Sequence, residues 1–211
     1  MNHFPEQEKQ SILIKPMVDT SGHHIVYGTL KDYLTGEQLP DTDDERCRQE
    51  LARMLVEEKG YTADELEPRL VIDTFFNNQS VRSLVELTVR LQGRRFMIIR
   101  YGPGSLVTRE RPAIAAARIL DSDYRIPLAV VTNCRDAEML DTLTGEVLES
   151  GMEAIPDRKK AVAMLRETEF SPFQDPAKRE REARILNVFD LEVCCKNGTC
   201  QLPENGETGK Q

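Results

Sequence analysis

Val81-Arg82-Ser83-Leu84-Val85-Glu86-Leu87-Thr88-Val89-Arg90-Leu91, then Gln92-Gly93-Arg94 and Arg95-Phe96-Met97-Ile98-Ile99-Arg100-Tyr101, is the stretch on which the fold turns. Val81, Ser83, Val85, Leu87, Val89 and Leu91 alternate with Arg82, Leu84, Glu86, Thr88 and Arg90, the period of a strand with one buried face. Gly93 and its polar neighbours turn the chain into a further strand. Upstream, Leu70-Val71-Ile72-Asp73-Thr74-Phe75-Phe76 is rich in β-branched and aromatic residues, and Asn77-Asn78-Gln79-Ser80 supplies a turn. Three strands joined this tightly predict an antiparallel meander.

Outward from the meander the pattern changes to helical. On the N-terminal side Thr42 and Glu45 are spaced as a capping box, Asp43 and Asp44 add negative charge to the first turn, and Cys47, Leu51, Met54 and Leu55 follow at helical spacing up to a terminating Gly60. On the C-terminal side Gly102-Pro103-Gly104-Ser105 stops the third strand, and a helix starts between Thr108 and Pro112 and runs through an alanine-rich stretch to Leu120. Ile126-Pro127-Leu128-Ala129-Val130-Val131-Thr132 is a continuous apolar run, as in a parallel strand covered on both faces, with the preceding helix as its crossover. Met139-Leu140-Asp141-Thr142 and Glu146-Val147-Leu148 read as a hairpin, and two helices follow near 157–167 and 177–190. The order α-β-β-β-α-β with helical additions places the chain in the α/β (α+β) class with a mixed sheet. Residues 1–19 are expected to be an arm or added edge strand, 20–150 the domain, 151–195 a helical extension and 196–211 a disordered tail.

The 211 residues suit one domain, and 39% hydrophobic with 30% charged residues is a globular composition. The formal charge of −8 argues against non-specific coating of nucleic acid, which depends on basic side chains displacing counterions. No apolar run approaches the ~20 residues that span a bilayer and the N-terminus lacks a signal-peptide pattern, so the expected location is the cytosol, with no membrane partner. Five cysteines, an odd number in a chain of this size, suggest reduced thiols and no structural disulfide.

The charge is unevenly placed: 31–67 holds 5 basic and 12 acidic residues, whereas 82–125 holds 9 basic, all arginine, and 4 acidic. Arg82, Arg90, Arg94, Arg95, Arg100, Arg109 and Arg111 are therefore the candidate nucleic-acid contacts, since guanidinium groups suit bidentate phosphate binding. The plainer reading is that these arginines pair with the acidic first helix and decorate strand edges.

Catalytic patterns are few. No nucleotide-binding Gly-x-x-x-x-Gly-Lys-Ser/Thr and no Gly-x-Ser-x-Gly elbow occurs, and Gly102-Pro103-Gly104-Ser105, lacking a lysine, reads as a turn. His3, His23 and His24 all lie near the N-terminus, and local spacing supports no Cys-His or Ser-His pair. Cys194, Cys195 and Cys200 fall one ligand short of a structural zinc site. Glu86, on the more polar face of the second strand, is the one candidate metal ligand, for Mg²⁺. A metal-dependent phosphodiesterase would need a second carboxylate and a lysine on the adjacent strand, and the pairs Ile99 with Tyr101 and Ile98 with Arg100 contain neither.

Asp32-Tyr33-Leu34-Thr35-Gly36, Asp44-Glu45-Arg46-Cys47-Arg48-Gln49-Glu50-Leu51-Ala52-Arg53, Leu55-Val56-Glu57-Glu58-Lys59-Gly60-Tyr61 and Val130-Val131-Thr132-Asn133 together resemble the N-terminal domain of the type I restriction enzyme R subunit and its stand-alone relatives. The resemblance covers about residues 25–150 and implies the restriction-endonuclease-like, PD-(D/E)XK core. It puts the family's strand-borne Asp on Glu86, and its Glu-x-Lys-Ala-Pro on Ile99-Arg100-Tyr101-Gly102-Pro103. Ile99 cannot bind a cation, and Tyr101 does not supply the lysine's charge. Glu50 on the first helix is an auxiliary acid in such folds. The favoured reading is a degenerate nuclease fold without a cofactor, working as a DNA- or partner-binding module or as a homo-oligomer. The competing one is a Mg²⁺-dependent endonuclease with a migrated site built on Glu86 and Asp73, with an arginine in place of the lysine.

Overall fold

The computed structural model describes residues 26–76 and 79–192 and the backbone of 195–196 and 199–200. The expected N-terminal arm, the three histidines, Cys194 and the end of the tail lie outside these residues. In chain order the elements are β1 (Gly28–Lys31), β2 (Gln38–Asp41), α1 (Asp43–Arg53), β3 (Leu66–Phe76), β4 (Gln79–Leu91), β5 (Arg94–Tyr101), α2 (Val107–Ile119), β6 (Leu128–Thr132), β7 (Ala137–Asp141), β8 (Val147–Ser150), α3 (Arg158–Glu167) and α4 (Pro176–Glu192). Cys195–Lys196 and Thr199–Cys200 pair as two short strands, β9 and β10.

β3 to β8 form one six-stranded sheet in sequential order. The meander β3-β4-β5 is antiparallel, with Gln92 and Gly93 both at positive φ in its two-residue second turn, as a type I′ hairpin requires. β5 and β6 are parallel, with α2 as the crossover. The sheet is therefore mixed, as the apolar run at 126–132 predicts.

Each face of the sheet carries its own core. α1 and α3 cover one face, where Cys47, Leu51, Leu55, Ala161 and Leu165 pack on Leu87, Val89, Met97, Ile99 and Val130. α2 and α4 cover the other, where Ala113, Ala116, Ala117 and Leu186 pack on Ile72, Val85, Ile98, Ala129 and Val131. The two C-terminal helices thus each close one of these cores. α4 also caps α2: the Arg179 guanidinium donates to the carbonyls of Ile119 (2.7 Å) and Asp121 (2.9 Å) at that helix's C-terminal end.

Three local features depart from the sequence reading. Strict alternation along β4 fails, because Val85 belongs to the α2 side and Leu87 and Val89 to the α1 side. The switch falls at Glu86, opposite Arg69 of β3, which is missing from the ladder and sits at φ 53. Thr42 caps α1 by accepting the Glu45 N–H (3.1 Å), but the Glu45 carboxylate turns inward to Arg48 and Gln49, leaving the capping box half made. Finally, Cys47 and Cys134 are joined by a disulfide, contrary to the expectation of free thiols, because α1 and the β6–β7 turn bring their Cα atoms to 6.1 Å.

The β1–β2 hairpin is built on the same local sequence as β7–β8. Asp32-Tyr33-Leu34-Thr35-Gly36-Glu37 and Asp141-Thr142-Leu143-Thr144-Gly145-Glu146 share the pattern Asp-x-Leu-Thr-Gly-Glu. In both the Asp carboxylate accepts the Leu N–H (2.9 and 2.7 Å) and the Asp carbonyl accepts the Gly N–H (2.9 and 2.8 Å). In both the Thr hydroxyl accepts the Glu N–H, and the glycine is left-handed, at φ 77 and 84. At Gly145 an added Cβ would meet nothing closer than Ile114 at 3.8 Å, so the cost of Gly145→Ala is conformational alone. Urea unfolding should show Gly145→Ala destabilised by about 1 kcal/mol, and a neutral effect would mean that the turn does not hold this conformation in solution.

Candidate functional site

The site grows from a split in the sheet. β4 and β5 pair from their hairpin as far as Leu87 with Ile99 and no further, while β4 continues along β3 and β5 along β6. Glu86 lies where they part. Its carboxylate accepts the backbone N–H of Tyr101 (3.1 Å), and the residue is only 7% exposed. Burial pushes the Glu86 carboxyl above the ordinary range, opposed by the positive charges of Arg100 and Arg48 and by the Tyr101 N–H.

Both arginines are themselves held by carboxylates. Arg100 donates to Asp190 of α4 (3.1 Å). Arg48, buried on α1, bonds Glu45 one turn earlier. Gln49 connects Glu45 (2.7 Å) to Asp32 (3.1 Å), and Asp32 bonds Arg69, which also reaches Glu37 (3.0 Å). Charged and polar side chains thus follow one another from the β1–β2 hairpin to α4, with the Gln49 amide joining the acids Asp32 and Glu45. Burial alone would raise the Asp32 pKa, but the Thr35 N–H, the side chains of Arg69 and Gln49 and the Arg69 charge bring it down to about 2.

The family-equivalent positions are close in space but unlike a cation site. Ile99 is fully buried in the apolar core under α1. Burial, with Asp44 beside the hydroxyl, pushes the Tyr101 phenol up to about 12, so it stays protonated near neutrality. Glu50 lies on the exposed side of α1, turned away from the face carrying Arg48. Asp73 is exposed and paired with its cross-strand neighbour Arg82 (2.9 Å), four residues along β4 from Glu86, a separation of roughly 13 Å at a strand's rise per residue. The structure therefore brings together Glu86, Tyr101, Arg48 and Arg100, and leaves Glu50 and Asp73 outside. Among the described residues no group of three or more His, Cys, Asp or Glu is arranged to hold a metal ion.

Sequence reasoning missed Arg48, Glu45, Gln49, Asp32 and Arg69. The available signal was Glu45, Arg48, Gln49 and Ala52 at helical spacing, a partly polar ridge beside the apolar stripe of α1.

The candidate arginines do not form one surface. Arg95 pairs with Glu67 (2.7 Å), Arg111 with Glu182 (2.6 Å), Arg100 with Asp190 and Arg82 with Asp73. These acids lie on β3 and α4, not on the first helix. Arg109 folds over Gly102. Arg90 and Arg94 flank the β4–β5 turn, where Arg90 bonds the Gly93 carbonyl (3.3 Å) and Arg94 lies over the Phe170 ring (4.9 Å). Arg82 is eight residues from Arg90, about 26 Å along the strand.

A profile of the family described as the type I restriction enzyme R protein N terminus matches residues 43–156, more than half of the chain. The chain belongs to that family. No curated protein and no solved structure matches it. The matched span begins on the first residue of α1 and ends just before α3, so in this R-protein N-terminal domain the β1–β2 hairpin, α3 and α4 lie outside the profile. No helix among the described residues is long and apolar enough to cross a membrane.

Asp32 ties this buried network to pH. Its folded pKa of about 2 lies below the ordinary 3.8, so the stability it contributes is complete above the ordinary value and is lost as pH falls toward 2. Asp32→Asn should cost about 2 kcal/mol at neutral pH, and the gap between wild type and variant should close between about pH 4 and pH 2. Urea unfolding across that range checks it, and a gap independent of pH would refute the assignment.

Proposed function

We propose that this chain is a restriction-endonuclease-like, PD-(D/E)XK-type domain that has lost its cation site and works by binding DNA or a protein partner, without cleaving. The observation that carries this reading is the environment of Glu86. Its carboxylate is committed to the Tyr101 N–H and lies in the field of two guanidinium groups, so positive charge that a divalent cation would bring is supplied by the chain's own side chains. The residues present do not fit Mg²⁺. The ion needs several oxygen ligands at about 2.1 Å, whereas the neighbouring family positions offer a buried isoleucine and a protonated tyrosine. A migrated site would need Glu86 and Asp73 on one ion, and Asp73 is paired with Arg82 further along the strand.

Binding is the remaining role for such a domain. DNA contact is best supported at the β4–β5 turn, where Arg90 and Arg94 are exposed and neither is paired with a carboxylate among the described residues. Elsewhere in the basic segment most guanidinium groups are neutralised by acids of this chain, which favours a small contact over an extended phosphate-binding face.

Two measurements test this. Incubation with plasmid DNA and Mg²⁺ or Mn²⁺ should leave the DNA intact, and cleavage abolished by Glu86→Gln would overturn the reading. In a fluorescence-anisotropy titration at low salt, Arg90→Glu with Arg94→Glu should weaken duplex binding about tenfold and lower the salt slope by about 1 to 2. Unchanged affinity would remove DNA from the β4–β5 turn and leave the protein-partner role.

A further inference from the structure

The disulfide joins two parts of the chain 87 residues apart and is not accounted for by the binding role. Cys47 is on the inward side of α1, 6% exposed, next to the buried Arg48. Cys134 is half-buried in the turn between β6 and β7. That turn starts from Thr132, whose register partner is Tyr101 and whose carbonyl accepts the Gly102 N–H (3.0 Å). The bond therefore fastens α1 to the ends of β5 and β6, beside the place where Glu86 meets the Tyr101 N–H.

The local conformation supplies a second argument. Cys134 has φ 66, left-handed backbone in which a β-carbon is crowded and which glycine or asparagine adopts more readily. The turn is fixed by short-range bonds: Thr132 Oγ1 accepts the Cys134 N–H (3.0 Å), and Asn133 Oδ1 accepts the N–H groups of Arg135 (3.0 Å) and Asp136 (2.8 Å). Nothing in these bonds calls for a cysteine side chain. A residue that local conformation disfavours is explained by what it does at a distance, and here that is bonding to Cys47.

We propose that Cys47 and Cys134 form a reversible, redox-responsive clasp that sets how firmly α1 is held over the Glu86 end of the sheet. Oxidised, the clasp fixes α1. Reduced, it leaves the helix held by the Thr42 cap, the Arg46–Asp41 pair, the Gln49 bonds to Asp32 and to the Tyr33 N–H, and side-chain packing. Closure is thiol–disulfide exchange with a small-molecule disulfide. The thiolate of Cys134, the more accessible residue, attacks one sulfur of the reagent and releases its first thiol. The Cys47 thiolate then attacks the mixed disulfide at the Cys134 sulfur and releases the second. Two protein thiols are oxidised and one reagent disulfide is reduced to two thiols. The inference is independent of the proposed binding role, because it concerns the mobility of α1 whatever the domain binds.

The test uses the full chain equilibrated with glutathione disulfide or with dithiothreitol. Peptide-level alkylation should find Cys47 and Cys134 blocked together after the first treatment and both free after the second. Amide hydrogen exchange over residues 43–53 should be about tenfold slower in the oxidised protein. Cys134→Gly, which suits the turn's backbone, should fold and exchange over 43–53 at the reduced wild-type rate under both treatments. Two findings would overturn the clasp: Cys47 and Cys134 that alkylate independently after oxidation, or α1 exchange rates that are the same in both states. Slow exchange in the oxidant-treated Cys134→Gly variant would also do so, since protection would then not come from this bond.

Discussion

Where β4 turns away from β5, the N–H of Tyr101 is left without a strand partner, and the Glu86 carboxylate accepts it instead. A buried amide without an acceptor is costly, and so is a buried carboxylate without compensating positive charge. The same bond meets both needs only in part, because one N–H does not neutralise a full charge. Arg48 and Arg100 supply the rest, and each then needs an acid of its own, found in Glu45 and Asp190. The β1–β2 hairpin and α4 are drawn into the domain by this sequence of requirements as well as by apolar burial. The reversal of side-chain facing at Glu86 follows from the same split, which lets one strand serve two cores.

Much of the architecture is legible in the sequence because it is written in local periodicity. The alternation at 81–91, the alanine-rich helix and the continuous apolar strand are sufficient for a meander followed by a right-sized crossover into a parallel neighbour. The facing switch is less legible, because Val85 and Leu87 are both apolar and the pattern is the same whichever core each enters. Arg69 gives no composition signal for its left-handed backbone. The first hairpin could have been found by comparing Asp32-x-Leu-Thr-Gly-Glu with the copy at Asp141, since side chain and backbone bonds within one turn are a local property. The Cys47–Cys134 bond could not, as it depends on where α1 comes to rest.

Charge shows the same division between local and distant information. The segment 82–125 is strongly basic when read along the chain, yet Arg100, Arg111 and Arg118 are paired with Asp190 and Glu182 of a helix that begins fifty residues after the segment ends. Arg118 also donates to the Thr142 and Leu143 carbonyls. A local charge count measures what must be compensated, and only the tertiary fold determines what compensates it. For the candidate site the sequence revealed the positions that cannot serve a cation, Ile99 and Tyr101, while the arginines that stand beside Glu86 come from opposite sides of the sheet.

The cap that Arg179 places on α2 bears on how much polypeptide makes a self-sufficient domain. The family profile ends at Pro156, but the helix that closes the second core begins at Pro176, and its guanidinium satisfies carbonyls at the end of the crossover helix. A shortened protein stopping at the profile boundary would uncover Ile72 and Val85 and leave Arg100, Arg111 and Arg118 without the acids of α4 that pair with them. The unit recognisable by kinship is therefore smaller than the unit whose two cores are closed and whose buried charges are paired.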